Sequence, residues 1–500
     1  LSAFLDARSL PGDTILTPDL AIVGGGPAGI SLALALAGSG QKIALLESGG
    51  FNFDASAQKL YQGSETGVAY PALDGGRLRF LGGSTNHWGG WCRPLDEIDF
   101  ESRPGLPYSG WPFSRRALAP YFARAQALVE AGPWIYDGAD EAMSDNGPVL
   151  SLGPGGVYTS WFQFSKTREG VLPTHFGDRY QEDLKQAADI TPLLNANITG
   201  IRLSRDALKV DHLDVATLSG NRLTVKPRFT VLAAGAMENA RLLLASNDVM
   251  TAGVGNGNDL VGRFFADHPI PRDVATLVLF DGRMASYYTN NMALPNGAVL
   301  RAALSPRAEF LRRRNVAGSL TTVENETKLD PFATAAVVTT AQALGVDASR
   351  AKAFSLGCGM ELAPDPDRRL TLDQTRDALG MPRLSLAMTF SDVDFLHFRE
   401  TLAELGRQLL AARSGMLHLS YSQRHEWMAA MDWGNHHLGT TRMSDDPKRG
   451  VVDSDCRVHG LANLYAAGSS VFPTYGSSNP TLNLVALALR LADHLKKVMA

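Results

Sequence analysis

A short stretch near the N-terminus constrains this chain more than any other. The apolar run "LAIVG" (20–24) leads into "GGPAGISLALALAGSG" and then into a second apolar run, "KIALLES". Strand, glycine turn, helix and strand within about 30 residues make one βαβ unit, which implies a parallel sheet with a crossover helix. Gly24, Gly26 and Gly29 form G-x-G-x-x-G at the turn. The first glycine makes the turn, the second lets the backbone approach a pyrophosphate, and the third lets the helix pack close to the strand. The helix N-terminus then faces the negative charge. Glu47 closes the second strand, eighteen residues after Gly29. A carboxylate there accepts hydrogen bonds from ribose hydroxyls and repels a 2′-phosphate. A dinucleotide is the expected ligand.

The glycine fingerprint alone does not separate FAD from NAD. Two further segments bear on the choice. "VLAAGAMENARLLLAS" is a second strand, turn and helix, with Gly235 at the turn and Glu238 and Asn239 opening the helix. "NLYAAGSSVFPT" is a third, with Gly468 and Ser469 at its turn. Three such turns converging on one extended ligand suit FAD better than NAD.

Composition narrows the class. Hydrophobic residues make up 45 % and charged residues 20 % of the 500 positions, as in a globular protein with a large core. A net charge of −4 gives no reason to expect nucleic acid as a partner. The longest apolar region, residues 20–38, is interrupted by glycines and a proline, so no membrane span is expected. Acidic residues precede it where a signal peptide would be basic. A cytoplasmic protein is expected, or a periplasmic one if an export signal has been trimmed ahead of Leu1. Cys92, Cys358 and Cys456 lie far apart and suggest neither a disulfide framework nor a zinc site. The chain contains no H-E-x-x-H, G-x-S-x-G or Walker A pattern, so no metal site, serine hydrolase or nucleotide triphosphatase is expected.

Along the chain, residues 50–110 are rich in Gly, Asp and Ser and read mostly as loop. "SRRALAPYFARAQALVEAG" reads as an amphipathic helix stopped by Gly132. "VATLVLF" (274–280) and "RLSLAMTF" (383–390) read as strands. Phe395, Phe398, Leu402, Leu405 and Leu409 recur at helical spacing and form a core-facing stripe. Arg312, Arg313 and Arg314 read as a solvated helix face. With α/β segments at both ends and near residue 230, the middle of the chain is expected to form a second layer or domain.

Taken together, the N-terminal fingerprint, "LGGSTNHWGGW", "VLAAGAMENARLLL", "VGRFFADHP" and the closing "NHHLGTTRM…RVHGLANLYAAGSSVFPTYGSSNPT" resemble the GMC (glucose–methanol–choline) oxidoreductases. No single piece is specific; their order and spacing are. The loop and the tail look most like the branch of pyranose oxidases and glycoside 3-oxidases or dehydrogenases. The resemblance implies an α/β fold: a Rossmann-like FAD-binding domain with a second, sheet-based substrate-binding domain. It places the first part of the FAD domain in residues 1–265, with a flavin-covering loop at about 75–110. The substrate domain falls in 266–430, and 431–500 returns to the FAD domain with the catalytic residues.

The implied reaction removes a proton from an alcohol oxygen and a hydride from its carbon. The protein must supply a base, for which histidine is suited by its near-neutral reference pKa. In the resembled family the base lies four residues before the Thr of a G-T-x-x-M segment, which is His436 here. Its partner precedes the last helix and is Asn479. Thr481 follows in the same cofactor-contacting segment. A helix cap is the other reading of Asn479, and a buried structural histidine that of His436. Adjacent side chains of an extended chain point to opposite faces, so His437 is expected to pack or to support the substrate. His87, in "GGSTNHWGG", either bonds covalently to the flavin or packs beside it with Gly82, Gly83, Ser84, Thr85 and Asn86. Glu361 is a candidate for the substrate pocket.

The expected function is oxidation of a secondary hydroxyl of a pyranose or glycoside to a keto group. Oxygen, a quinone or a redox partner protein would serve as electron acceptor. A GMC enzyme for a primary or non-sugar alcohol, an NAD(P)-dependent dehydrogenase and a non-catalytic FAD-binding protein are the alternatives.

Overall fold

The structure is a computed structural model that describes residues 4–143, 149–167 and 173–500. The βαβ unit read from the sequence lies at the centre of a six-stranded sheet. Its order is Leu5–Asp6, Ile190–Leu194, Ile43–Leu46, Leu20–Val23, Phe229–Leu232 and Leu464–Ala466. Every neighbouring pair is parallel. Leu20–Val23 and Ile43–Leu46 are buried at every position, the pattern of strands covered on both faces. Helix Pro27–Leu36 covers the sheet and packs against the C-terminal helix Pro480–Met499. The first, second and third strand–turn–helix segments thus supply three adjacent strands, although the third is over 400 residues from the first.

The turns meet because Asn239 fastens them. Its Oδ1 accepts from Ala234 N at 3.0 Å. Its Nδ2 donates to Leu232 O, Ala467 O and Ser470 Oγ at 3.0–3.3 Å. One buried amide therefore joins the second turn to the third, and every group in the joint is satisfied.

A second, antiparallel sheet forms the other large layer. Its order is Gly415–Leu419, Ala275–Leu279, Lys352–Met360, Ser319–Thr327, Val299–Pro306, Val157–Phe164 and Trp91–Cys92, with Met292–Ala293 on Val299–Pro306. The strand expected at 274–280 is its Ala275–Leu279. Trp91–Cys92 and Val157–Phe164 belong to this sheet although they precede residue 265, so sheets and sequence segments do not coincide.

Local differences from the sequence reading have physical causes. The helix expected up to Gly132 ends at Leu128, where the chain turns through positive φ at Glu130 (51°) and Gly132 (78°). Within the expected loop 50–110, Gly63–Gly67 is a strand, paired in parallel with Pro382–Met388. It carries no apolar alternation because backbone pairing, not a buried face, holds it. The stripe Phe395, Phe398, Leu402, Leu405 and Leu409 is buried along helix Asp392–Ala411. Arg312 and Arg314 are half-exposed on helix Ala308–Arg314 and pair with Glu101 and Glu400. Among the described residues no helix is long and apolar enough to cross a membrane, and no group of three or more His, Cys, Asp or Glu side chains could hold a metal ion.

Candidate active site

A cavity of about 350 Å³ runs from the first glycine turn to the paired histidines. At one end lie Gly24, Gly26, Pro27 and Glu47. The local sequence explains their arrangement. Gly24 has φ of 113°, and a Cβ there would sit 2.5 Å from Ala233 O. A Cβ on Gly29 would sit 1.9 Å from Gly24 O, so helix and strand approach closely only with glycine. A Cβ on Gly26 would meet nothing within 4 Å, because that position opens onto the cavity. Pro27 occupies the first turn of the helix, where its missing N–H costs nothing.

Glu47 is buried and lines the cavity. Its Oε2 accepts from Gly25 N at 2.8 Å, and its Oε1 from Gly49 N at 2.8 Å and Ser48 Oγ at 3.2 Å. A carboxylate has about four lone-pair sites, so Oε2 retains one for a ligand hydroxyl.

Residues that the sequence reading missed also line the cavity. Arg77 and Arg79, two apart in "GGRLRF", line the cavity and stack over Tyr61 at 3.9 and 4.6 Å. Arg77 binds Glu238 at 2.9 Å; Arg79 and Arg241 reach the same carboxylate at 3.4 Å; Arg241 also binds Asp377 at 2.7 Å. Burial raises the Glu238 pKa, but the three arginines outweigh it and hold the carboxyl at about 2. Arg79 Nε is buried with no protein partner. A buried, unpartnered guanidinium N–H, an open helix N-terminus and an acceptor at Glu47 fit an anionic dinucleotide. Alternation of arginines on an extended run was the available sequence signal.

Gly83, Ser84, Thr85 and His87 also line the cavity. Gly83–Asn86 is a 3₁₀ turn, entered through Gly82 at φ 95°. Asn86 is not on the wall; its Nδ2 donates to Leu81 O at 2.9 Å and braces the loop. His87 is held below its ordinary pKa by burial and, secondarily, by His175. Gly235, Gly468, Ser469 and Thr481 also line the cavity.

At the far end, His436 and Asn479 meet on the wall. His436 Nε2 lies 3.3 Å from Asn479 Nδ2. His436 Nδ1 lies 2.9 Å from His268 Nδ1, and its backbone N donates to Asp267 Oδ1 at 2.7 Å. Asp267 also accepts from Tyr70 OH at 2.5 Å. Asn479 stands at the cap position of helix Pro480–Met499, yet its side chain makes no capping bond. Burial, then the neighbouring His268 and His437, holds His436 well below its ordinary pKa. Burial drives His268 to about 4, against the opposing pull of the Gly476 carbonyl and Glu361. His437 also lines the cavity, between the rings of Phe265 and Tyr70 (centroids 5.9 and 6.4 Å away). Its pKa is driven to about 3 by burial, then by Arg77 and His87. Both histidines therefore border one cavity, because the segment before the Leu438 bridge is not a flat strand. Asp267 and His268 carried a sequence signal only as part of "ADHP".

Glu361 is placed off the cavity, 2 % exposed. Its Oε1 accepts from Tyr475 N and Gly476 N, and its Oε2 from Gly318 N and Arg103 Nη2, all at 3.0 Å. With four donors already in place it has no free acceptor for a substrate; it anchors the loop beside the histidines.

Residues 19–249 match the family model described as FAD dependent oxidoreductase, and residues 364–488 the model described as GMC oxidoreductase. The chain is 29 % identical to the fructose dehydrogenase large subunit of Gluconobacter japonicus, over 53 % of this chain and 46 % of that protein. It is 28 % identical to a C-glycoside 3-oxidase of Microbacterium trichothecenolyticum, over 56 % of this chain and 49 % of that one. The match thus spans less than half the length of either relative. Among solved structures, pyridoxine 4-oxidase from Mesorbium loti superposes with a TM-score of 0.60 at 19 % identity, covering 95 % of this chain and 98 % of that one, which shows a shared fold.

Proposed function

The chain belongs to the GMC family of FAD-dependent oxidoreductases, and we propose that it oxidises a secondary hydroxyl of a pyranose or glycoside to the ketone with His436 as the base. The observation that carries this reading is the 3.3 Å approach of His436 Nε2 to Asn479 Nδ2 on the cavity wall. The two sugar-acting relatives support the substrate class.

When bound, FAD supplies the acceptor for the hydride that leaves the carbinol carbon. The residues of the chain manage the proton and the geometry. Neutral His436 takes the hydroxyl proton at Nε2. Asn479 Nδ2 donates to the same oxygen and fixes its position as negative charge grows there. The alcohol loses one proton and one hydride, and the product is the carbonyl compound. Burial keeps His436 unprotonated before substrate arrives, as a base must be. His437 forms the neighbouring wall. The glycine turns, Glu47 and the arginine pair hold the dinucleotide end. In this reading 1–265 and 431–500, which line the cavity, supply the FAD-binding part, and 266–430 the substrate-binding part. His87 is the attachment point if the flavin is covalently held.

The test is an anaerobic screen of sugars, glycosides and simple alcohols for bleaching of the yellow enzyme, with identification of the product. A keto-sugar or keto-glycoside is expected. Bleaching by simple primary alcohols alone would overturn the substrate class. Acid precipitation of the enzyme decides the link at His87: flavin that stays with the protein pellet and is freed in His87→Ala supports it.

A further inference from the structure

We propose that His268 is a positioning residue that fixes the tautomer of His436, so that the unprotonated nitrogen of His436 is the one facing the cavity. The inference rests on the reading of His436 as the base. Its own foundation is a directed chain of hydrogen bonds.

The chain starts at a backbone carbonyl. His268 Nε2 lies 3.0 Å from Gly476 O. A carbonyl only accepts, so Nε2 of His268 carries a proton. His268 is 3 % exposed and neutral at pH 7, so it has a single N–H and its Nδ1 is bare. That bare nitrogen lies 2.9 Å from His436 Nδ1. Two bare nitrogens would repel at this distance, so His436 Nδ1 must donate. Neutral His436 then has its lone pair on Nε2, where Asn479 Nδ2 stands at 3.3 Å and can donate. Each donor–acceptor direction follows from the previous one, and the first is set by main chain.

The anchor is itself held. Gly476 N and Tyr475 N donate to the buried Glu361, which Arg103 and Gly318 also bind. Gly476 has φ of 55°, and a Cβ there would sit 2.5 Å from the Asp99 carboxylate. On the other side, His436 N is tied to Asp267, the residue before His268. The ring of Tyr475 meets the His268 ring edge-on, 4.9 Å away at 88°. When His436 takes the substrate proton, its bond to His268 becomes charge-assisted and strengthens. His268 touches neither the substrate space nor the cavity wall; it acts through His436.

Two variants and one spectrum test this. His268→Gln retains an acceptor for His436 and a donor for Gly476; His268→Leu has similar bulk and neither. Both are loaded with FAD, their flavin content is measured, and anaerobic reduction is followed by stopped flow. We expect the Gln variant to reduce within about fivefold of wild type. The Leu variant should lose roughly 10²-fold in the limiting rate constant with little change in apparent substrate affinity, as for a base held in the wrong tautomer. Equal rates for Leu and Gln would overturn the proposal, since packing alone would then suffice. Independently of folding of the variants, ¹⁵N-histidine NMR of the wild-type protein at pH 7 should show His436 protonated at Nδ1; protonation at Nε2 would overturn the proposal outright. Wild-type reduction rates in His436→Ala would instead overturn the assignment of the base, leaving the NMR result to decide the tautomer.

Discussion

His436 and His437 are neighbours in sequence that border the same cavity in different company. His436 touches Asn479 and His268 through its ring nitrogens; His437 is packed between aromatic rings. On the proposed assignment of His436 as the base, His436→Ala should slow flavin reduction by about 10²–10⁴-fold with FAD still bound. Asn479→Ala should cost less, because the base remains, and His437→Ala least. Anaerobic stopped flow on the three variants checks the order; a dead His437 variant beside an active His436 variant would reverse the assignment. Burial of His437 has a second consequence. Its folded pKa of about 3 lies below the ordinary value of 6.5, so the unfolded chain binds the extra proton first. The contribution of His437 to stability is therefore complete above pH 6.5 and is lost as pH falls toward 3. His437→Phe keeps the aromatic packing and removes this titration. Denaturant unfolding of the apoprotein should show the wild type losing about 1.4 kcal/mol more per pH unit than the variant over that window.

At the scale of the element, the two glycines that flank the start of helix Pro27–Leu36 play separate parts. A methyl on Gly29 would meet backbone 1.9 Å away, which no rotamer can relieve. Gly29→Ala should therefore destabilise the fold by several kcal/mol, on the scale of core overpacking or beyond, visible as a lowered unfolding midpoint even without FAD. A methyl on Gly26 meets no protein atom and points into the cavity. Gly26→Ala should leave apoprotein stability within about 1 kcal/mol of wild type, the usual range for such a change at a compatible φ, while FAD affinity falls. Calorimetric or fluorescence titration of the apoprotein separates the two; a Gly26 variant that binds FAD normally would mean the dinucleotide backbone does not pass there.

At the scale of the molecule, the cavity proposed to hold FAD is walled by segments near residues 24, 84, 235, 436 and 480. A ligand in it ties the parallel sheet to loops of the antiparallel layer. FAD should accordingly raise the unfolding temperature in proportion to the logarithm of its concentration, by an amount equivalent to about 2.7 kcal/mol at one hundred times Kd. Differential scanning calorimetry of apoprotein with added FAD measures it, and an unfolding temperature indifferent to FAD would contradict a cavity that couples the layers.

The amino-acid sequence by itself determined the elements whose signals are local. The glycine turn at Gly24, Gly26 and Gly29 is legible because only glycine satisfies its close approaches, and the stripe from Phe395 to Leu409 because burial repeats with the helical period. The order of the quoted segments was enough for the family and for FAD. Tertiary structure decided whatever depends on partners distant in sequence. Glu361 looked available in the sequence, yet four donors from residues 103, 318, 475 and 476 occupy it. The sequence left Asn479 two readings, partner of His436 or helix cap; the fold turns its side chain to His436 and leaves the cap bond unmade. Trp91–Cys92 and Val157–Phe164 joined the second sheet through non-local pairing. His268 lies 168 residues from His436, and their contact leaves no periodicity or spacing in the chain. A hydrogen-bond direction is a property of three-dimensional neighbours, and only the fold brings those neighbours together.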